Sequence, residues 1–336
     1  MDWIDFAKGV SIVLVVLFHA SLALDDYNLT ADIFWLENEF FSPIRMPVFF
    51  TVSGLLARTI IHYSWGDIFQ KRIVFLIYIF VLWSVLHLLW KLLMPFAPDP
   101  KATEWVTFLY SPSSVLWFVW ALAFYFLVAK AGLLIGKKAV LAGAIGLSVL
   151  AYAKVFGFKN YAHNNVLEFL PFFLFGAWYS NHLLSSQALG WVRTAILTSV
   201  VFVPSFALVY EHMLPEGVES VTKFPLSVLG IVVGISVSII ACRFTSLKAV
   251  PVYLGKNTLP IYVAHSPIVG LLAFALTDGA TDMPLAKFWS VPTVSATAII
   301  LALLLKFGVE KVGGWWLFAP PEIFGNRAKA VAVEPT

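Results

Sequence analysis

Residues 9–24 read Gly9-Val10-Ser11-Ile12-Val13-Leu14-Val15-Val16-Leu17-Phe18-His19-Ala20-Ser21-Leu22-Ala23-Leu24, with no acid, lysine or arginine among them. An amphipathic surface helix carries one apolar stripe and one polar face. This stretch is apolar all round, and a bilayer core takes about 20 such residues. Reading outward for similar runs, between charged or Pro/Gly-bearing breaks, gives ten: 9–24, 40–61, 72–94, 115–135, 139–157, 166–184, 191–210, 225–242, 253–276 and 289–318. The first is short. The last is long enough to be tilted, or broken near Gly313-Gly314.

Composition agrees with that reading. Of 336 residues, 60% are hydrophobic, 16% aromatic and 12% charged, whereas a soluble domain is about 25% charged. An ordinary water-soluble globular protein, a disordered chain, a collagen-like repeat and a nucleic-acid-binding protein are excluded. Cys242 is the one cysteine, so there is no internal disulfide and no multi-cysteine metal site. In its apolar run it reads as a small packing residue. Asp2 and Asp5 precede the first apolar run and no small-residue cleavage pattern follows it, so a cleavable signal peptide is not expected.

The distribution of basic residues tests the span count. With both ends inside, 14 Lys and Arg fall on the inner side and 7 on the outer. The sequence therefore predicts an all-α membrane protein of about ten transmembrane helices in one bundle, with both termini cytoplasmic. Residues 1–320 are expected to form one transmembrane domain and 321–336 a short cytoplasmic tail. No internal repeat is visible, and chemistry must lie inside the helices or at their mouths.

Ionisable residues within spans mark where to look. Lys8 and His19 are 11 residues apart, about 20° from three full turns, so they share one helix face at a separation of about 16 Å. Lys8 lies at the cytoplasmic mouth and His19 deeper, towards the outside. Asp5 can pair with Lys8 or sit favourably at the helix N-terminus. The plainer readings are a positive-inside anchor for Lys8 and a packed histidine for His19.

A second stretch, Arg45-Met46-Pro47-Val48-Phe49-Phe50-Thr51-Val52-Ser53-Gly54, runs inward to Arg58. Pro47 removes a backbone donor and Gly54 permits close helix approach. Ser53 reads more readily as a packing residue than as a nucleophile, because no G-x-S-x-G elbow surrounds it. A third stretch, Tyr253 to Pro267, opens a helix from the inside and puts His265 near mid-membrane. Two membrane histidines suit a proton relay, a metal pair or an acid/base pair. No His-x-x-x-His occurs and no acid lies close in sequence, which argues against metal. Trp117 begins a span from outside, where aromatics form interfacial belts and also stack on sugars. Glu168, near Asn164 and Asn165, lies at an outer helix start. Lys71 and Arg72 lie on the inner face, as anchors or phosphate contacts.

Five motifs in order then resemble a known family. They are Asp5-x-x-Lys8-Gly9 with His19; Met46-Pro47-Val48-Phe49-Phe50-Thr51-Val52-Ser53-Gly54; Leu116-Trp117-Phe118; Phe172-Phe173-Leu174-Phe175-Gly176; and Tyr253-Leu254-Gly255-Lys256-Asn257-Thr258-Leu259-Pro260-Ile261-Tyr262-Val263-Ala264-His265. The chain resembles acyltransferase family 3, bacterial integral-membrane enzymes, and within it the fucose 4-O-acetylase-like subgroup. That resemblance implies O-acyl transfer, most often of acetyl from cytoplasmic acetyl-CoA to a hydroxyl of a surface or exported glycan. It also implies a bacterial cytoplasmic (inner) membrane location. The family's first helix carries a basic residue, usually Arg, then ten residues, then His. Here these are Lys8 and His19. A second basic residue often stands three after the position of Arg72; here it is Phe75.

The resemblance implies His19 as general base or acyl acceptor. Lys8, Arg58, Lys71 and Arg72 are expected to hold the donor's phosphates, and Arg45, Trp117 and Glu168 to face the acceptor. Asp5, Ser53 and His265 are expected to line the pocket. No metal and no bound cofactor is expected; acetyl-CoA is a co-substrate. The expected partners are acetyl-CoA, a glycan or lipid-linked saccharide, and the lipid bilayer. The rival functions are a transporter or flippase of a lipid-linked glycan, and transfer of another acyl group such as succinyl.

Overall fold

In the computed structural model, the described residues are 1–94, 100–112, 114–185, 190–211, 213–276 and 284–321. The tail expected beyond residue 321 lies outside them. The main helices are α1 (Asp2–Asp25), α2 (Ile33–Ala57), α3 (Trp65–Leu93), α4 (Trp117–Ile135), α5 (Lys137–Tyr152), α6 (Tyr161–Ser185), α7 (Trp191–Tyr210), α8 (Glu216–Ala241), α9 (Thr245–Lys256), α10 (Thr258–Ala275) and α11 (Pro284–Lys311). No strand occurs among the described residues. That is the outcome a bilayer dictates, since a helix satisfies its backbone donors and acceptors within its own segment.

Eight of these helices are long and apolar enough to cross a membrane: α1, α2, α3, α4, α7, α8, α10 and α11. The fifth and sixth expected spans correspond to α5 and α6. Helix α5 has 16 residues, about 24 Å at 1.5 Å per residue and so shorter than a bilayer core. Helix α6 has 25, but its first turns carry His163, Asn164, Asn165 and Glu168. Helix α11 stops at Lys311, where Gly313 takes φ +79°. The Gly314 N–H bonds to Val309 O at 2.8 Å and the Gly313 N–H to Glu310 O at 3.3 Å. This is a Schellman C-cap, and only glycine adopts its left-handed residue without penalty. It ends the last span just where the Gly313-Gly314 pair suggests a break.

The chain forms two compact units. The first comprises Met1–Ser11, Glu39–Phe69 and Ala121–Lys256; the second comprises Ile12–Asn38, Gln70–Trp120 and the chain from Asn257 on. In the first unit, small residues set the helix spacing. A Cβ at Gly54 would collide with the Phe173 carbonyl, and one at Gly176 with the Thr51 carbonyl, so α2 and α6 touch backbone to backbone. A Cβ at Gly9 would strike the Pro251 carbonyl and one at Gly255 the Asp5 carbonyl, which locks the start of α1 against α9. Phe50 fills the space beside these crossings, its ring 5.2 Å from Tyr125 and 5.4 Å from Phe169. Hydroxyls in the helices are spent locally: Thr51 bonds Pro47 O, Ser53 bonds Phe49 O and Ser238 bonds Gly234 O.

In the second unit, α10 packs along α11. The turn after α11 is tied to α3 by the Trp83 indole N–H to Leu317 O at 2.8 Å. Thr30 donates to Ser21 O at 2.8 Å, and Ser290 of α11 donates to Leu29 O at 2.5 Å, which fixes the loop after α1. Lys306, which lies within the run 289–318, donates to Asn257 Oδ1 at 2.8 Å and lies 3.9 Å from Glu310.

Candidate active site

Helix α1 is continuous from Asp2 to Asp25, so the expected face-sharing of Lys8 and His19 holds along it. The Lys8 ammonium sits 2.9 Å from the Asp5 carboxylate, with both side chains about four-fifths covered. One turn earlier, Lys248 of α9 donates to Asp2 at 2.6 Å. The first turn of α1 is therefore laced with charge, as its N-terminus favours for acids.

Deeper in the second unit, the half-buried His19 meets the fully buried His265 of α10, ring centroids 5.2 Å apart. His265 Nδ1 lies 2.7 Å from Tyr262 O and 3.2 Å from Ile261 O. Carbonyl oxygens only accept, so Nδ1 carries the hydrogen in either contact. In the neutral ring, Nε2 then holds a lone pair. Nε2 is buried and has no hydrogen-bond partner among the described residues. A buried acceptor with no partner calls for a donor from a neighbour or a ligand.

Tyr262 completes the cluster. Its hydroxyl donates to Val115 O. Its ring lies 6.1 Å from His265 and edge-to-face with Phe118 at 5.5 Å. The Leu116-Trp117-Phe118 motif and the Tyr262–His265 turn thus meet in one unit with His19. In the other unit, the Met46–Gly54 and Phe172–Gly176 motifs meet through their glycines.

A third histidine escaped the sequence reading. His87 of α3 is buried, with Nε2 2.8 Å from Val263 O. The origin of that bond is local. Residue 267 is proline and has no N–H for the carbonyl four residues back, Val263. His87 supplies the missing donor. The rule that singled out His19 and His265, an ionisable side chain within an apolar run, applies equally to His87.

The remaining candidates are dispersed. Arg58 is half-buried just past the end of α2. Lys71 is exposed and Arg72 half-buried on a π-helical turn, Phe69–Ile73, early in α3; such turns recur at functional sites. Arg45 is buried between Pro43 and Pro47 of α2. Glu168 is half-buried and accepts from Asn164 Nδ2 at 2.5 Å. Both belong to the first unit, whereas Trp117, buried at the start of α4, belongs to the second. Ser53 has its hydroxyl engaged 2.8 Å from Phe49 O, as a packing residue does. Among the described residues, no group of three or more His, Cys, Asp or Glu is arranged to hold a metal ion.

The family model described as an acyltransferase domain matches residues 1–308. The chain belongs to acyltransferase family 3. Two relatives align over most of their length with this acyltransferase. Inner membrane protein YcfT of Escherichia coli is 26% identical over 350 residues, covering 93% of this chain and 90% of that one. Nodulation protein NolL of Sinorhizobium fredii is 25% identical over 334 residues, covering 90% and 88%. No solved structure matches significantly. A family 3 acyltransferase with eight candidate spans is a multi-pass membrane protein.

Proposed function

We propose that this acyltransferase moves an acetyl group from cytoplasmic acetyl-CoA to a hydroxyl of a surface or exported glycan, in the cytoplasmic membrane of a bacterium. The observation that carries the reading is the pairing of His19 with His265, whose Nδ1 is anchored on two backbone carbonyls and whose Nε2 lone pair is unmet. In the proposed topology ten segments cross the bilayer, with both termini and Lys8 on the cytoplasmic side. Residues 1–320 act as one domain.

Lys8 holds the donor's phosphates at the inner mouth, with Arg58, Lys71 and Arg72 as further cations. The pantetheine arm then runs the ~16 Å of helix between Lys8 and His19. The 5.2 Å between ring centroids is short enough for facing ring nitrogens to come within hydrogen-bond reach. With substrate bound, the His19 ring turns to donate its N–H to the unmet His265 Nε2, and its other nitrogen is directed at the reacting hydroxyl. This is the logic by which a third group orients a catalytic base.

His19 then takes the proton as the glycan hydroxyl attacks the thioester carbonyl. The C–O bond forms, the C–S bond breaks, and the proton passes from His19 to the departing CoA thiolate. In the two-step variant a His19 nitrogen attacks the thioester, the ring N–H proton goes to the departing thiolate to give the CoA thiol, and the hydroxyl then attacks the acyl-imidazole, its proton returning to His19. Arg45, Trp117 and Glu168 serve the acceptor side.

Purified protein incubated with [14C]acetyl-CoA and surface glycan tests the reading. Label in the glycan, or on His19, supports it. Movement of a lipid-linked glycan across vesicles without label transfer favours the flippase. Transfer from succinyl-CoA but not acetyl-CoA changes the donor.

A further inference from the structure

The first unit contains a cavity of about 430 Å³ that none of the candidate site residues lines. Its wall comes from four helices, including Leu141 and Ile145 of α5, Phe172 of α6, Trp191 and Thr194 of α7, and Val228 of α8. Almost all of that wall is hydrocarbon. Ile145 and Val228 on the rim are 36% and 42% exposed, so the mouth lies between α5 and α8. An apolar cavity of ~150 Å³ stays dry and takes up one benzene ring. By that scale this one admits a chain on the order of 16 carbons.

The cavity also has one polar demand. Trp191 is 6% exposed, and its indole N–H is buried with no hydrogen-bond partner among the described residues. A buried donor left unmet carries the full cost of its desolvation. Trp191 is the first residue of α7, and the end of a spanning helix lies at the bilayer interface, the level that tryptophans favour. The Thr194 hydroxyl stands one turn further along the same wall. Acyl esters of phospholipids present carbonyl acceptors at that depth, each followed by a long hydrocarbon chain.

We propose that this cavity binds one ester-linked acyl chain of a membrane phospholipid, with the ester carbonyl accepting from Trp191 Nε1 and the chain filling the space between α5, α6, α7 and α8. It is a lipid site separate from the histidines, and it does not depend on the acceptor assignment above.

The test uses the full chain in nanodiscs of phosphatidylethanolamine and phosphatidylglycerol doped with a phosphatidylethanolamine carrying a mid-chain diazirine. After illumination, labelled peptides are mapped by mass spectrometry. The site predicts label at residues 171–175 and 224–235. An Ile145→Trp/Val228→Trp variant should cut that label at least tenfold while label at the exposed α7 residues Val200 and Val203 persists. Trp191→Phe keeps an aromatic ring on the wall and removes the donor, and should cut it about threefold or more. Unchanged label at 171–175 and 224–235 in the filled variant overturns the site. Unchanged label in Trp191→Phe overturns the ester contact. Label from a diazirine polyprenyl phosphate but not from the phospholipid probe overturns the proposed ligand.

Discussion

His265 offers a substitution pair that separates chemistry from packing. Its Nδ1 donates to Tyr262 O at 2.7 Å and its Nε2 is unmet. Asparagine places an N–H donor near the Nδ1 position and has nothing at Nε2. His265→Asn therefore retains the anchor and removes the lone pair offered to His19, with a small loss of ring volume. Loss of an orienting group for an acid–base residue is expected to cost at least about 10²-fold in rate, which is about 2.7 kcal/mol of transition-state stabilisation. His265→Phe removes the backbone anchor as well, so it should lose both activity and stability. The assay is the initial rate of acetyl transfer over a pH series, beside thermal unfolding in detergent. Asparagine should lower kcat with little change in the KM for acetyl-CoA and a midpoint close to the parent's. A His265→Asn enzyme within about threefold of the parent, with the fold intact, would refute the proposed role of the Nε2 lone pair.

Further outcomes follow from single contacts. Lys8→Ala removes a charge-assisted contact worth about 1.5–3 kcal/mol, so calorimetry should show acetyl-CoA binding weakened ten- to hundredfold. Unchanged binding removes Lys8 from the donor site. Gly255→Ala drives a Cβ into the Asp5 carbonyl, whereas a Cβ at Gly143 meets nothing within 4 Å. Unfolding should shift down markedly for the first and be level or slightly up for the second, since Ala exceeds Gly in a helix interior by about 1 kcal/mol. His87→Phe leaves Val263 O without its donor and should cost about 1–3 kcal/mol of stability with kcat retained. Glu104, outside the spans, feels burial that raises its pKa, but the Lys101 backbone N–H and the Lys91 ammonium outweigh it and hold the carboxyl below its usual 4.5. Its contribution is present above that value and is lost as pH falls through the lowered one. Glu104→Gln should therefore lower the unfolding midpoint slightly at pH 7, and the difference should vanish once the pH has fallen below the lowered value.

Much of this arrangement is legible in the residues because a bilayer narrows the options. Once α1 is read as spanning, 11 residues of fixed helical pitch carry Lys8 and His19 to one face without tertiary information. Gly54 is similarly readable as a close-approach residue. What the chain does not disclose is which motifs meet. Nothing in the order of the sequence pairs Gly9 with Gly255, or Tyr262 with Val115, because those contacts depend on packing between helices remote in sequence. The tautomer of His265 depends on its distances to two carbonyls, and no periodicity encodes those. His87 is a different case. An apolar run that contains one imidazole was visible from the start, and the nearby proline at 267 supplies the reason only when α3 and α10 are seen together. Helices α5 and α6 stand where spans are expected, yet the first is short and the second begins polar, which hydropathy averaged over a run conceals.

The account rests on His19 as the reacting imidazole. The most direct measurement is glycan acetylation by mass spectrometry in cells expressing the parent or His19→Ala, with both proteins matched for amount in the membrane. The account predicts that His19→Ala abolishes glycan acetylation while the protein inserts and folds as the parent does. Acetylation at the parent's level in that variant would contradict it.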